Sequence, residues 1–130
     1  MRIVAGIVVG AVIAILCVAG IETVGHLAFP PPPGTDFSDP AQVARIMENV
    51  PRAALAFVAA AWFIGALAGS WVANLVAKRA LAGWIVVAMV LAAGIYTMTT
   101  IPHPAWMWAM GILLPLIAGW LAQRLAKVAV

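Results

Sequence analysis

The sequence predicts an all-α polytopic membrane protein, built as a bundle of four transmembrane helices with a short amphipathic helix in an outer loop. Of the 130 residues, 66% are hydrophobic and only 8% are charged, whereas charged residues make up about 25% of an ordinary soluble domain. Four apolar stretches each reach the roughly 20 residues that a transmembrane helix needs. They leave room for one modest loop, so we expect a single transmembrane domain over residues 1–130.

The first predicted span covers residues 3–28. Its apolar run is longer than the roughly 7 to 15 residues of a secretory signal peptide, and it continues through Glu22 and His26. We therefore interpret it as a retained membrane span. Four consecutive prolines after Phe29 end it, because proline has no amide donor and favours an extended chain.

The outer loop is predicted over residues 29–50 and contains the short helix. Val43, Ile46 and Met47 recur there at helical spacing, and Pro40 is suited to the first helical position. Ser38 or Asp39 is suited to the N-cap. This pattern indicates an amphipathic helix that lies at the membrane interface or covers one end of the bundle.

The remaining spans are predicted over residues 51–77, 81–100 and 104–122. Lys78-Arg79 is too short a connection for anything but an antiparallel hairpin of the second and third spans. The turn Ile101-Pro-His-Pro104 comes before the fourth span, and the prolines hold His103 on a non-helical corner.

Small residues four positions apart predict close packing between helices. In the second span they form a row along one face, at Ala61, Gly65, Gly69, Ala73 and Ala77. The glycines that we assign to helix packing are Gly6, Gly10, Gly65, Gly69, Gly111 and Gly119. Ser70 and Asn74, also four apart, are predicted to form an interhelical hydrogen-bond pair.

The distribution of cationic residues predicts the orientation in the membrane. On one side lie Arg2, Lys78, Arg79, Arg124 and Lys127, and on the other only Arg45 and Arg52. The positive-inside rule makes the first side cytoplasmic, with both termini there and the proline loop facing outward. Because the positive charges mark the span ends, we expect the lipid bilayer as the partner and no nucleic acid, despite a pI near 9.8.

Three ionisable residues form the candidate site. Glu22 and His26 share a face of the first span, and His103 is predicted at the same membrane level. A carboxylate and two imidazoles suit a divalent metal such as zinc, or a proton relay. The structural alternative is that Glu22 and His26 pair locally while His103 caps the fourth span. No tightly spaced metal motif is present, so no metal or other cofactor is assigned, although a divalent metal stays an alternative.

The sequence does not decide whether the protein is an enzyme, and the missing enzyme signatures favour a non-enzymatic role. It contains no phosphate-binding glycine loop, Cys-x-x-Cys pair or His-Glu-x-x-His motif. We expect a packing or accessory subunit that forms a homo-oligomer or joins a larger membrane complex through its glycine faces. The alternatives are a small proton-coupled transporter, and a metal-binding or ligand-binding membrane protein that uses Glu22, His26 and His103.

Several segments together resemble an uncharacterised family of small bacterial four-span inner-membrane proteins. They are Glu22-x-x-Gly25-His26, Phe29-Pro-Pro-Pro-Pro-Gly34, Pro51, Gly65-x-x-x-Gly69 and Ile101-Pro-His-Pro-x-Trp106. The resemblance covers nearly the whole chain and implies a bacterial inner-membrane location, without implying an activity or a cofactor. In size and span count the chain is also similar to small multidrug-resistance transporters, which carry their glutamate deep in the first span. Glu22 lies about 28 Å along the helix from Ile3, near the interface rather than the midplane.

Overall fold

The structure, a computed structural model, describes residues 1–129 and contains five α-helices in this region. They are α1 (Arg2–Ala28), α2 (Pro40–Asn49), α3 (Arg52–Ala77), α4 (Ala80–Thr100) and α5 (Ala105–Ala126). All except α2 are long and apolar enough to cross a membrane. The prediction of an all-α, four-span membrane bundle is therefore confirmed, and the short helix in the loop between the first two spans is present.

The four long helices begin within one residue of the predicted spans, and α5 continues beyond residue 122 to Ala126. Gln123 and Arg124, the polar residues after the predicted fourth span, belong to this helix. Polar side chains end the lipid-buried part of a helix without breaking its backbone hydrogen bonds, so hydropathy marks the membrane boundary and not the helix end. The helix stops where Lys127 adopts a left-handed conformation with φ 52°.

Helix α3 lies at the centre of the bundle. It packs against α1, α4 and α5, and its contact with α1 is the most extensive in the structure. Helix α4 also contacts α1 and α5. The row of small residues predicted on the second span is buried along its whole length, from Ala61 to Ala77.

The contact between α1 and α3 is made by glycines from both helices. A Cβ atom built on Gly10 would lie 2.5 Å from the carbonyl oxygen of Gly69, and one built on Gly69 would lie 2.6 Å from the carbonyl oxygen of Gly10. Towards one end of the pair, Gly6 packs on Ala73 and Ala77. The two helices are antiparallel, and their backbones approach as closely as the absence of side chains allows.

The other packing glycines also lie against neighbouring helices of the same chain. Gly65 faces Val18 of α1. On α5, Gly111 lies against the Trp62 ring and Gly119 against Val87 and Trp84. All six glycines assigned to packing therefore contact other helices of their own chain.

Two hydrogen bonds secure the end of the bundle where α3 turns into α4. The Asn74 side-chain oxygen accepts from the Gly83 backbone N–H at 2.8 Å, and the Ala80 N–H donates to the Ala129 carbonyl at 3.1 Å. Asn74 thus makes an interhelical hydrogen bond, as predicted, and joins α3 to α4. Ser70 does not take part, because its buried hydroxyl has no hydrogen-bond partner among residues 1–129.

Candidate ligand-binding site

A cavity of about 1020 Å³ lies at the end of the bundle that carries α2, which we call the α2 end. Its walls come from the last turns of α1, the proline loop, α2, the first turns of α3 and the turn between α4 and α5. The apolar side chains in these walls include Phe29, Phe37, Val43, Ile46, Met47, Leu55, Phe57, Val58 and Ile101. The polar ones are Glu22, His26, Thr35, Gln42, Arg45, Asn49, Thr97 and His103. The cavity is therefore mostly apolar with a few polar groups, as small-molecule sites usually are.

The loop wall is held in shape by hydrogen bonds around Asp36 and Gln42. The Ser38 backbone N–H donates to the Asp36 carboxylate at 2.9 Å, and the Asp36 backbone N–H donates to the Gln42 side-chain oxygen at 3.1 Å. Hydrogen bonds from the Ser38 hydroxyl and N–H lower the pKa of Asp36 below its ordinary value of 3.8. The loop is thus attached to α2 through Gln42, which itself lines the cavity.

Helix α2 covers the cavity without being embedded in the bundle. Asp39 caps it by accepting from the Ala41 N–H at 3.0 Å, and Pro40 is its first residue, as the sequence predicts. None of its residues is buried. Met47 in the helix and Val50 just after its end are partly buried and pack against the core. The helix therefore presents Val43, Ile46 and Met47 to the cavity together with the polar Gln42, Arg45 and Asn49, while its exposed Glu48 lies outside the cavity lining.

Glu22 is partly buried in the cavity wall, and its carboxylate interacts with the Trp62 side chain of α3. His26, one turn further along α1, is the ionisable side chain that interacts with it electrostatically. The Trp62 ring is itself buried, in contact with Gly94 of α4 and Gly111 of α5. A buried ring of α3 thus lies beside the carboxylate on α1.

His103 reaches the same cavity from the turn between α4 and α5. Its Nδ1 lies 2.6 Å from the Ile101 carbonyl oxygen, so the ring is held against its own turn. The ring is partly buried, whereas His26 is exposed. Thr97 in the last turn of α4 also lines the cavity and donates its hydroxyl to the Ala93 carbonyl at 2.9 Å.

The structure brings all three predicted site residues, Glu22, His26 and His103, to the wall of one cavity. It does not bring them together as a metal site. No group of three or more His, Cys, Asp or Glu side chains within residues 1–129 is arranged so that it could hold a metal ion. The three side chains are therefore separate polar positions around a shared apolar space.

Several residues of this site were not predicted from the sequence. Trp62 lies beside the site, and because an indole N–H inside a membrane span needs a polar partner, it could have suggested its neighbour Glu22. The rings of Phe29 and Phe57 meet edge to face at 6.0 Å between centroids in the cavity wall, beside the buried Gly25. Arg45 was considered only as one of the two cations on the outer side. Nothing in the local sequence pattern indicates that Phe29, Arg45 and Phe57 line one cavity.

Comparison with known protein families, characterised proteins and solved structures finds no significant match. The resemblance to a family of small bacterial membrane proteins is therefore not tested and stays a prediction.

Proposed function

We propose that this protein binds a small amphipathic molecule in the cavity at the α2 end. The observation that carries the proposal is that Glu22, His26 and His103 all line a mostly apolar space of about 1020 Å³. Pockets for small molecules commonly measure about 300 to 1,000 Å³ and combine apolar walls with a few polar groups that fix orientation. The proposed ligand has an apolar body and a polar group that donates hydrogen bonds.

Glu22, His26 and His103 favour a hydrogen-bond donor on the ligand. An ionised carboxylate only accepts hydrogen bonds, and each neutral imidazole offers one acceptor nitrogen. The Trp62 side chain interacts with Glu22 but leaves the carboxylate on the cavity wall. Arg45 also lines the cavity, but its Nε–H donates to the Ala41 carbonyl of its own helix at 3.4 Å, so this N–H is not directed at a ligand. A ligand amine or hydroxyl directed at Glu22, with its apolar part against the paired rings of Phe29 and Phe57, satisfies both kinds of wall.

We also infer a bacterial inner-membrane location with the α2 end facing outward and both termini in the cytoplasm. The resemblance to small bacterial four-span proteins supports the location, and the excess of cationic residues at the opposite end of the bundle supports the orientation. With this orientation the cavity receives its ligand from the outer leaflet or from the external medium.

A cavity-filling variant tests the proposal. Ala54 lines the cavity, whereas its exposed neighbour Ala53 does not. The purified protein is titrated with decylamine, decanol and decanoate, which share an alkyl chain and differ in their polar groups, and binding is measured by native mass spectrometry. We expect Ala54→Trp to weaken the binding of decylamine and decanol at least tenfold and Ala53→Trp to leave it unchanged. Equal binding by both variants would contradict a site in this cavity.

The role of Glu22 has a separate readout. The wild type is expected to prefer decylamine to decanoate, because Glu22 attracts the ammonium group and repels the carboxylate. Glu22→Gln should reduce this preference while decanol binding persists. An unchanged preference would show that Glu22 does not contact the ligand's polar group.

An accessory or self-associating subunit is the second proposal, and one surface feature favours it. An apolar groove of about 320 Å³ runs between α3 and α5, and its lining includes Ala56, Ala60 and Trp106. Ala56 and Ala60 are exposed and four residues apart, the spacing that permits close helix contact. The packing glycines do not provide this surface, because they already contact neighbouring helices of the same chain.

The groove gives the test of self-association. Ala60→Leu should reduce the oligomer fraction measured by single-molecule photobleaching in bilayers, while Ala92→Leu, an exposed position on α4 outside the groove, should not. Gly65→Leu or Gly69→Leu would not be informative, because both would disrupt the contact between α1 and α3. A monomeric wild type would remove the proposal of a homo-oligomer.

Proton-coupled transport requires more than the cavity shows. The cavity reaches Glu22, as a transport site must. Transport also requires access to the opposite end, where the α1 and α3 backbones are in direct contact around Gly10 and Gly69. A proton flux in vesicles that contain the wild type, if Glu22→Gln abolishes it, would favour transport over simple binding.

A further inference from the structure

The end of the bundle opposite the α2 end, which we call the basic end, carries most of the positive charge. Its cationic residues are Arg2, Lys78, Arg79, Arg124 and Lys127, and all five are exposed. They come from the start of α1, the connection between α3 and α4, and the end of α5. In the sequence these positions are far apart.

Tertiary contacts bring the three segments to one surface. The Ala80 N–H bonds to the Ala129 carbonyl at 3.1 Å, which holds the segment after α5 against the connection that contains Lys78 and Arg79. On the other side, a Cβ atom built on Gly6 would lie 3.0 Å from the Cβ of Ala77, so the first turns of α1 lie beside the end of α3. The cations therefore form one positive surface.

No carboxylate side chain neutralises this surface. The chain has four acidic residues, and all of them lie at the α2 end: Glu22, Asp36, Asp39 and Glu48. Of the cations, Arg124 stacks over the Trp120 ring at 4.5 Å from the centroid, a contact that leaves its positive charge uncompensated. The positive surface is therefore complementary to an anion from outside the chain.

We propose that the basic end binds the phosphate-bearing headgroups of anionic phospholipids in the leaflet that surrounds it. The cations lie next to exposed apolar side chains, since Leu81 is 52% exposed, Trp120 49% and Leu125 59%. A phospholipid supplies a phosphate directly above acyl chains, and so it satisfies both surfaces at once. Lysine and arginine near an anionic membrane surface each strengthen binding about fivefold at moderate ionic strength.

The test compares lipid binding at the two ends of the molecule. The full chain is purified in a nonionic detergent and exposed to equal amounts of phosphatidylglycerol and phosphatidylcholine, and bound lipids are counted by native mass spectrometry. Arg79→Gln should reduce the preference for phosphatidylglycerol about fivefold, and Arg79→Lys should retain it. Arg52→Gln removes the same charge at the α2 end and is the matched control, which should leave the preference unchanged.

The triple variant Lys78→Gln/Arg79→Gln/Lys127→Gln should lower the preference on the order of 100-fold if the three contributions add. Equal effects of Arg79→Gln and Arg52→Gln would overturn the proposal, as would a wild type with no preference between the lipids. Soluble glycerophosphoglycerol is the further control. If it binds as tightly as the lipid, the surface recognises phosphate without the acyl chains, and the lipid proposal is wrong.

Discussion

The contact between α1 and α3 gives the sharpest test of the fold, through the substitution Gly10→Ala. The added methyl group would lie 2.5 Å from the Gly69 carbonyl oxygen and 2.7 Å from the Ala73 Cβ, and the first of these is a backbone atom that cannot rotate away. Relief requires the helices to separate by about 1 Å. A gap of that size costs each neighbouring atom pair a quarter to a half of its van der Waals attraction.

The expected loss of stability follows from this displacement. Inserting a methyl group into a well-packed core costs about 1 to 3 kcal/mol, and this site is at the upper end because backbone atoms oppose the new group. Replacing glycine by alanine in a helix returns about 0.5 to 1 kcal/mol. We therefore expect Gly10→Ala to destabilise the bundle by about 1 to 2 kcal/mol.

Gly20, on the same helix, is the matched control. A Cβ atom at Gly20 would meet nothing within 4 Å, so Gly20→Ala gains the helix preference without a clash and should be neutral or stabilising. Unfolding is followed by tryptophan fluorescence as sodium dodecyl sulfate is added to protein in mild mixed micelles. Equal unfolding midpoints for the two variants would refute close packing of α1 on α3.

Three further predictions concern hydrogen bonds. Asn74→Ala should destabilise the bundle by about 1 to 3 kcal/mol in the same unfolding assay, because it leaves the Gly83 N–H without its acceptor. Ser70→Ala, one turn away, should be neutral or stabilising, because its buried hydroxyl has no partner among residues 1–129 to lose; a loss as large as that of Asn74→Ala would contradict this. At Asp36, hydrogen bonds from Ser38 lower the pKa below 3.8, so they stabilise the loop at neutral pH and are lost as the pH falls through the lowered pKa. Ser38→Ala should raise the pKa of Asp36 towards 3.8 in a carboxyl-carbon NMR titration, and an unchanged pKa would show that the Ser38 hydroxyl is not the cause.

Much of the architecture could be predicted because it depends on local properties of the chain. The four prolines after Phe29 stop α1, and Asp39 with Pro40 starts α2 where its sequence pattern indicates. Turn chemistry and hydropathy act over a few residues, so a single sequence displays them directly. Hydropathy predicts where a span leaves the membrane and not where its helix ends, and so α5 continues to Ala126 although the hydropathy changes at Gln123.

The spacing of small residues showed which helix faces could pack, but it did not identify their partners. The same stripe of glycines fits a neighbouring helix of this chain and a helix of another protein equally well. We expected the second arrangement to support self-association. In the structure Gly6 and Gly10 of α1 contact the stripe on α3, so the six packing glycines are used within the chain.

The candidate site shows the same division between sequence and structure. By itself, the sequence determined the four spans, the asymmetry of charge between their ends, and the presence of Glu22, His26 and His103 near one end. Only the tertiary structure decided that these three side chains line one cavity without forming a metal site, and that Trp62 lies beside the carboxylate. The physical reason is that hydropathy and charge are properties of each segment, whereas a cavity is the space left between separate helices whose relative positions depend on their packing.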